Sequence, residues 1–325
     1  MGYLDILDLI WYNIPMETKR KTEVLMNSQN NNQKRLAALL NEVAFDEGIH
    51  KTLVDGVFVI RHSESRPRTP AIYEPMIVIV GQGQKRAYLD NNVYVYDPLN
   101  YLVLSVPLPV ECEWEASPEE PLLIVSISVE PTMLGEIILE MDESLPSVGP
   151  PPRGIATTPM SEELSGAVIR LLECLKSPLD GRMLGRQTVR EIVYRVLLGE
   201  QGGSLRALAN RDEHFIRIAR VLKQIHTEYA EPFTVESMAK QANMSVASFH
   251  QNFKLITGSS PLQYLKRIRL DRARNFMAHD GYNASTAARA VGYESPSQFS
   301  REFKRLFGIT PVEETKRTQT HRTTD

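Results

Sequence analysis

Six side chains fall into two sets at a fixed separation: His250, Gln251 and Lys254, then Ser300, Arg301 and Lys304 fifty residues later. Amide, hydroxyl, guanidinium and ammonium groups of this kind break no covalent bonds by themselves. Set along one side of a short helix, they make paired hydrogen bonds to flat donor–acceptor edges and ion pairs with phosphate oxygens. Bond-making chemistry has no comparable set. The chain carries no Gly-x-Ser-x-Gly elbow, no phosphate-cradling loop and no clustered acid pair. Its two cysteines, Cys112 and Cys174, are not spaced with histidine or cysteine as a zinc site requires. They also exclude a disulfide framework and fit a reducing cytosol, so a cytoplasmic location is expected.

Helices must hold the two sets, and the surrounding residues supply one plan twice. Ser245, Phe249, Phe253, Lys254, Gly258 and Pro261 return as Ser295, Phe299, Phe303, Lys304, Gly308 and Pro311. Two copies are too few for a solenoid or propeller. In the first copy Thr234 caps a helix running to Ala242, with Glu236 in its first turn. Asn243-Met244 turns the chain, and Ser245 caps a second helix with Phe249, Phe253 and Ile256 on one face. Gly258 suits the left-handed position past the end, and Pro261 prevents continuation. In the second copy Ser285 is the expected cap of a small-residue helix through Val291, and Gly292 makes the turn. Ser295-Pro296-Ser297-Gln298 reads as a capping box with proline at the first helical position.

Helix, tight turn and helix is the shape of a helix-turn-helix, whose second helix enters the DNA major groove. One such motif alone reads equally well as part of an ordinary helical bundle. Between the copies, however, Leu262 to Ala278 is a helix bearing Lys266, Arg267, Arg269, Arg272 and Arg274. Residues 215–325 hold 17 Lys+Arg against 10 Asp+Glu, whereas residues 1–214 hold 20 against 30, so positive charge is gathered where the motifs lie. Two motifs joined by a basic helix favour DNA.

Phe233 to Pro311, with Gly292-Tyr293-Glu294-Ser295 and Phe299-Ser300-Arg301-Glu302-Phe303-Lys304 at its centre, resembles the DNA-binding domain of the AraC/XylS family. The resemblance implies two helix-turn-helix units on a rigid linker helix, entering adjacent major-groove segments of one promoter site. With Phe249 and Phe253 buried, the first recognition helix offers Ala247, His250 and Gln251 to base edges and Lys254 to phosphate. The second offers Pro296, Ser297, Ser300 and Arg301. Arg301 is the expected guanine contact and Gln251 the expected adenine contact. Relatives place a large polar or aromatic residue where this chain has Ala247, a departure that moves readout onto His250 and Gln251. Ser245, Ser248 and Lys304 are expected to position the backbone, with capping the first duty of Ser245 and Ser295.

The rest of the chain changes period twice. Gln33 to Asn41 is helical, and residues 48–129 break into short apolar runs: Val57–Ile60, Met76–Val80, Arg86–Leu89, Val93–Tyr96, Tyr101–Val106 and Leu122–Val129. Gly81-Gln82-Gly83 and Asp90-Asn91-Asn92 read as hairpin connections, and the cadence predicts an antiparallel sandwich or barrel of the jelly-roll, cupin-like kind. Helices follow at Pro131–Met141, Ser161–Leu175 and Gln187–Leu198, with Pro150-Pro151-Pro152 as a rigid break. A helix from Asp212 to Tyr229 carries Phe215, Ile218, Leu222 and Ile225 on a stripe that should back the first motif. The fold class is therefore α+β: a sandwich followed by helices, then an all-α double helix-turn-helix domain. The expected boundaries are a disordered or over-long extension over 1–33, an effector domain over 34–205, a DNA-binding domain over 212–313 and a disordered tail over 314–325. The apolar run Leu4–Trp11 is too short to span a bilayer, and no membrane partner is expected.

Ala71-Ile72-Tyr73-Glu74-Pro75, Gly81-Gln82-Gly83, Tyr101–Val106 and Ser117-Pro118-Glu119-Glu120-Pro121 also resemble the AraC-type N-terminal domain. That resemblance implies a cytoplasmic regulator, an activator among the family's outputs. Its implied partners are promoter DNA, a small-molecule effector, RNA polymerase and a second copy of the chain. A catalytic cupin would need two or three clustered histidines, and this region has only His50 and His62, so neither metal nor cofactor is expected. Aromatic side chains with polar tips, Tyr73, Tyr88, Tyr94, Tyr96 and Trp114, are the candidate effector contacts, unless they are simply core. Three acids around Cys112, Glu111, Glu113 and Glu115, argue for an unreactive thiol. A cupin-type enzyme fused to a DNA-targeting module and a ligand-independent architectural protein remain the alternatives.

Overall fold

The computed structural model describes residues 16–141, 153–199, 202–209 and 213–322. The apolar run Leu4–Trp11 and the triple proline lie outside them. Ten strands among these residues pair antiparallel into two sheets. One sheet has the order β1 (Gly48–Lys51), β2 (Val57–His62), β9 (Leu122–Ser128), β4 (Met76–Gln82), β7 (Asn100–Leu104) and β10 (Ile155–Pro159). The other runs β3 (Arg66–Tyr73), β8 (Leu108–Glu115), β5 (Gln84–Leu89) and β6 (Asn92–Tyr96). Met76–Val80 and Leu122–Ile127 are apolar without alternation because the larger sheet is covered on both faces. Val78, Val80, Leu122 and Ile124 point inward at the smaller sheet. Ile77, Ile79, Leu123, Val125 and Ile127 point outward to a layer of helices, α1 (Met16–Val43), α2 (Pro131–Glu140), α3 (Glu162–Leu175), α4 (Pro178–Leu198) and α5 (Gly202–Ala209).

The C-terminal third is helical: α6 (Glu213–Thr227), α7 (Val235–Gln241), α8 (Val246–Thr257), α9 (Pro261–His279), α10 (Ala284–Ala290), α11 (Pro296–Phe307) and α12 (Pro311–Arg322). Three cores organise the molecule. One lies between the larger sheet and its helices. The second fills the sandwich and continues without a break into α6, α7, α8 and the first half of α9. The third belongs to the second half of α9 with α10 and α11.

Several expectations change. Four strands, β1, β3, β8 and β10, are not legible as apolar runs. Three contain proline, and of these β3 and β10 lie at sheet edges, where a missing N–H costs no ladder bond. The supposed disordered extension is helical from Met16 onward, because Leu36, Leu39 and Leu40 dock on the sheet and adding turns to a docked helix is cheaper than nucleating one. Residues 314–322 of the expected disordered tail belong to α12, anchored by Glu314, which is 7% exposed and accepts from Arg274 Nε at 2.6 Å. Asn283, not Ser285, caps α10, its Oδ1 accepting from Thr286 N–H at 2.9 Å. The box before α11 is half made: Ser295 Oγ accepts from Gln298 N–H, while the Gln298 side chain turns to Glu302.

Candidate nucleic-acid interface and effector chamber

Both recognition helices are built by the same local rules. In the first motif Thr234 and Ser237 exchange side-chain-to-backbone bonds as a capping box, and Asn243 takes the turn at φ 51°. Ser245 caps α8, which buries Phe249, Phe253 and Ile256 and ends at Gly258 with φ 74°. Ala247, His250, Gln251 and Lys254 are left exposed, the last two beside the sandwich. In the second motif Ser295 caps α11, Phe299 and Phe303 are buried, and Gly308 ends the helix at φ 76°. Pro296, Ser297, Ser300, Arg301 and Lys304 are exposed. The Arg301 guanidinium only leans on its own helix, with Nε 3.4 Å from Ser297 O. Ser248 is half-buried and occupied, its backbone and hydroxyl oxygens accepting from Asn252 Nδ2.

The basic linker helix differs from its sequence reading. Its charges are mostly spent inside the protein. Lys266 Nζ donates to Glu302 at 2.9 Å, Arg274 is held by Glu314, and Arg267 lies 3.3 Å from Glu111 of β8. Arg269 donates to three backbone carbonyls. Burial works against the Glu302 carboxylate, but bonds from Lys266, Tyr293 and Gln298 outweigh it and hold its pKa low. On the recognition helices, by contrast, Lys254, Arg301 and Lys304 are exposed and form no ion pair among the described residues.

The candidate effector contacts divide. Tyr73, Tyr96 and Trp114 point into the sandwich, with the Tyr73 and Tyr96 hydroxyls 3.0 Å apart. Tyr88 does not join them: strand alternation turns it outward, where its hydroxyl donates to Glu113 and the Arg68 guanidinium lies over its ring. Tyr94 borders a cleft of about 380 Å³ between the sandwich and α8, opposite Gln251 and Lys254. Sequence reasoning missed Lys85. Alternation places it on the inward face with Ala87 and Leu89, and its ammonium stands 4.6 Å from the Trp114 ring and 5.3 Å from the Tyr73 ring. Burial lowers its pKa, and it has no carboxylate partner among the described residues. His62 stacks on the far side of this group, 4.6 Å from the Trp114 ring. Alternation also corrects the Cys112 argument. Glu111 and Glu113 face outward to Arg68, Arg267 and Arg86, while the thiol faces in, so their charge gives no reason for an inert sulfur. No group of three or more His, Cys, Asp and Glu among the described residues could hold a metal ion, and no helix there is long and apolar enough to cross a membrane.

Sandwich and first motif meet around Tyr264. Tyr264 of α9 donates its hydroxyl proton to Pro107 O at 2.7 Å and accepts from His226 Nε2 at 2.7 Å. That pattern puts the proton of the neutral imidazole on Nε2 and leaves Nδ1 buried without a hydrogen bond, 3.8 Å from Glu74. Burial, then the charge of Arg272, pushes the His226 pKa down to about 4. Nearby, Gly154 N–H donates to Ile256 O at 3.0 Å, tying the residue ahead of β10 to the end of α8.

Two family models match the chain: one described as an AraC-type transcriptional regulator N-terminus, over residues 53–204, and one described as a helix-turn-helix domain, over residues 238–317. The chain is similar to the RCS-specific HTH-type transcriptional activator RclR of Escherichia coli (strain K12), 38% identical over 97 residues, which cover 30% of this chain and 34% of that protein. It is also similar to the HTH-type transcriptional activator RhaS of Escherichia fergusonii, 26% identical over 147 residues, covering 39% of this chain and 53% of the relative. The chain thus spans roughly a third to a half of the length of these relatives. Among solved structures, unsaturated-fatty-acid-bound ToxT from Vibrio cholerae strain SCE256 matches 82% of this chain and 96% of its own, with a TM-score of 0.55 at 9% identity. That likeness is one of fold.

Proposed function

Because the chain belongs to the AraC-type transcriptional regulators, we propose that it binds promoter DNA through α8 and α11 and activates transcription in response to a small molecule held in the sandwich. The observation that carries this is the pair of like-built recognition helices on one linker. Each presents exposed polar and basic side chains that form no ion pair among the described residues. The 19-residue linker is about 28 Å long, which with the widths of the motifs suits two major-groove entries one turn of DNA apart, roughly 34 Å. Arg301 reads a guanine and Gln251 an adenine, with His250 and Ala247 beside it and Ser297, Ser300 and Pro296 beside Arg301. Lys254 and Lys304 take phosphates, and Ser245 and Ser248 hold the helix start in place.

Tyr73, Tyr96, Trp114 and Lys85 are the effector contacts on this reading, since they bring rings and polar tips to one interior site. The sandwich performs no reaction. RNA polymerase and a second copy of the chain are the further partners, and the cytoplasm is the location. The test is selection of bound fragments from random DNA by the purified full chain, followed by titration at two salt concentrations. A recovered two-part site with salt-sensitive affinity supports the reading, and affinity without sequence preference refutes it.

A further inference from the structure

A linker helix fixes the distance between two readers, but their relative angle depends on what happens at its middle. Here the middle is a seam. Tyr264, Leu265 and Ile268 belong to the core of the first motif, and Leu270, Ala273 and Met277 to the core of the second. Arg269 is the residue between them. Its Nε donates to Tyr229 O at 2.7 Å, its Nη2 to Glu231 O at 2.8 Å and its Nη1 to Gly292 O at 3.1 Å. Residues 229–231 form the loop leading into the first motif, and Gly292 lies in the turn of the second. One planar guanidinium therefore binds backbone from both motifs across the seam.

A second observation puts the same two segments in contact. Gly292 has φ +79°, and a Cβ there would come within 2.3 Å of Ala230 O. The second motif's turn thus rests directly on the first motif's loop. Three residues beyond Arg269, the Arg272 guanidinium lies 5.7 Å from the Tyr229 ring centroid, over the same loop. None of these groups points at the exposed faces of α8 and α11.

We propose that Arg269 is the positioning residue that sets the separation and rotational phase of the two DNA half-sites, by clamping the 229–231 loop to the Gly292 turn. The proposal rests on the reading that both motifs contact DNA. Moving a half-site by one base pair shifts it by roughly 3.4 Å and turns it by roughly 35°. A clamped reader cannot follow such a change, whereas an unclamped one can.

The experiment uses the full chain and a two-part site selected from random DNA, with variants carrying one base pair more or fewer between the half-sites. Wild type is expected to lose about tenfold or more in affinity on either variant, about 1.4 kcal/mol or more. Arg269→Lys keeps the charge but supplies one donor head in place of a fork. It is expected to lose about tenfold on the native spacing while the difference across the series shrinks to about threefold or less. Its binding to DNA with a single half-site should be unchanged. Gly292→Ala, which forces the turn off Ala230, should move the preferred spacing. Equal weakening of Arg269→Lys on every spacing would reduce the residue to a structural role and overturn the proposal, as would an unaltered wild-type preference. If deleting one half-site costs wild type nothing, the two-motif reading itself fails, and this outcome is distinct from the other two.

Discussion

Tyr264→Phe removes one oxygen from the place where the sandwich, α6 and α9 meet. The ring is fully buried, edge-on to Phe253 at 5.4 Å between centroids, and phenylalanine fills the same space. What changes is the hydrogen bonding. Pro107 O loses its donor and His226 Nε2–H loses its acceptor, and water has little access to replace either. An orphaned buried polar group costs about 1–3 kcal/mol, so the pair should cost about 2–6 kcal/mol. The assay is urea unfolding of the full chain in a Trp11→Phe background, which leaves Trp114 as the only tryptophan. Trp114 fluorescence then reports the sandwich while circular dichroism is weighted towards the helices. In the parent the two transitions should coincide, because one apolar core runs through the sandwich and the first motif. In the variant the unfolding free energy should fall by that amount, lowering the urea midpoint by the loss divided by the m-value, and the two transitions should separate. A loss below about 0.5 kcal/mol with coincident transitions would refute the claim that this hydroxyl fastens chamber to reader.

Gly154→Ala tests the same junction from the other side. An added Cβ would sit 2.5 Å from Val106 Cγ2 and 2.8 Å from Ile256 O, so thermal unfolding should show a loss of about 1–3 kcal/mol. Arg301→Ala should cost about 1–3 kcal/mol on the selected site and relax the preference at one base pair, whereas an equal loss on random DNA would make Arg301 a phosphate contact. His226 carries a pH signature. Its folded pKa of about 4 lies below the unfolded value, so its contribution is complete above about pH 6.5 and is lost as pH falls toward 4, up to about 3 kcal/mol. The facing Glu74 carboxyl enters the same window with its pKa raised by burial, and so acts in the opposite sense. The stability of wild type should therefore fall more steeply than that of His226→Gln across this range, and equal slopes would remove His226 from the account. Lys85→Met replaces a buried ammonium that has no carboxylate partner among the described residues with an apolar chain of similar length. The melting midpoint should hold or rise while any effector-induced stabilisation is lost, as read by thermal shift.

The double motif was readable in the sequence because its signals are local. Ser245, Gly258, Ser295 and Gly308 act on the helix they bound, and the paired phenylalanines repeat at helical spacing. The sandwich was readable as a class but not in full. Prolines in β3, β8 and β10 look like breakers until it is known that two of these strands are edges. Which way a strand side chain points depends on register, which is why Tyr88 was grouped with Tyr96 and why Lys85 was passed over. The same cause undid the argument from the acids around Cys112. Tertiary partners were least visible. Nothing in the order of residues says that Arg269 spans Tyr229, Glu231 and Gly292, or that Glu314 fixes a terminal helix, because each bond joins residues at least 23 positions apart.

The unbroken core between sandwich and first motif sets a limit on dissection. Cutting the chain ahead of α6 would strip Pro107 from the Tyr264 hydroxyl and Gly154 from Ile256, and would uncover the Gly258 surface that Leu89 now covers. A freed C-terminal fragment would carry an oily scar beside its DNA-facing helix and would tend to stick to itself. Nor could the sandwich be moved onto a foreign helical domain like an interchangeable cassette, because part of its core is supplied by the neighbour it would leave behind.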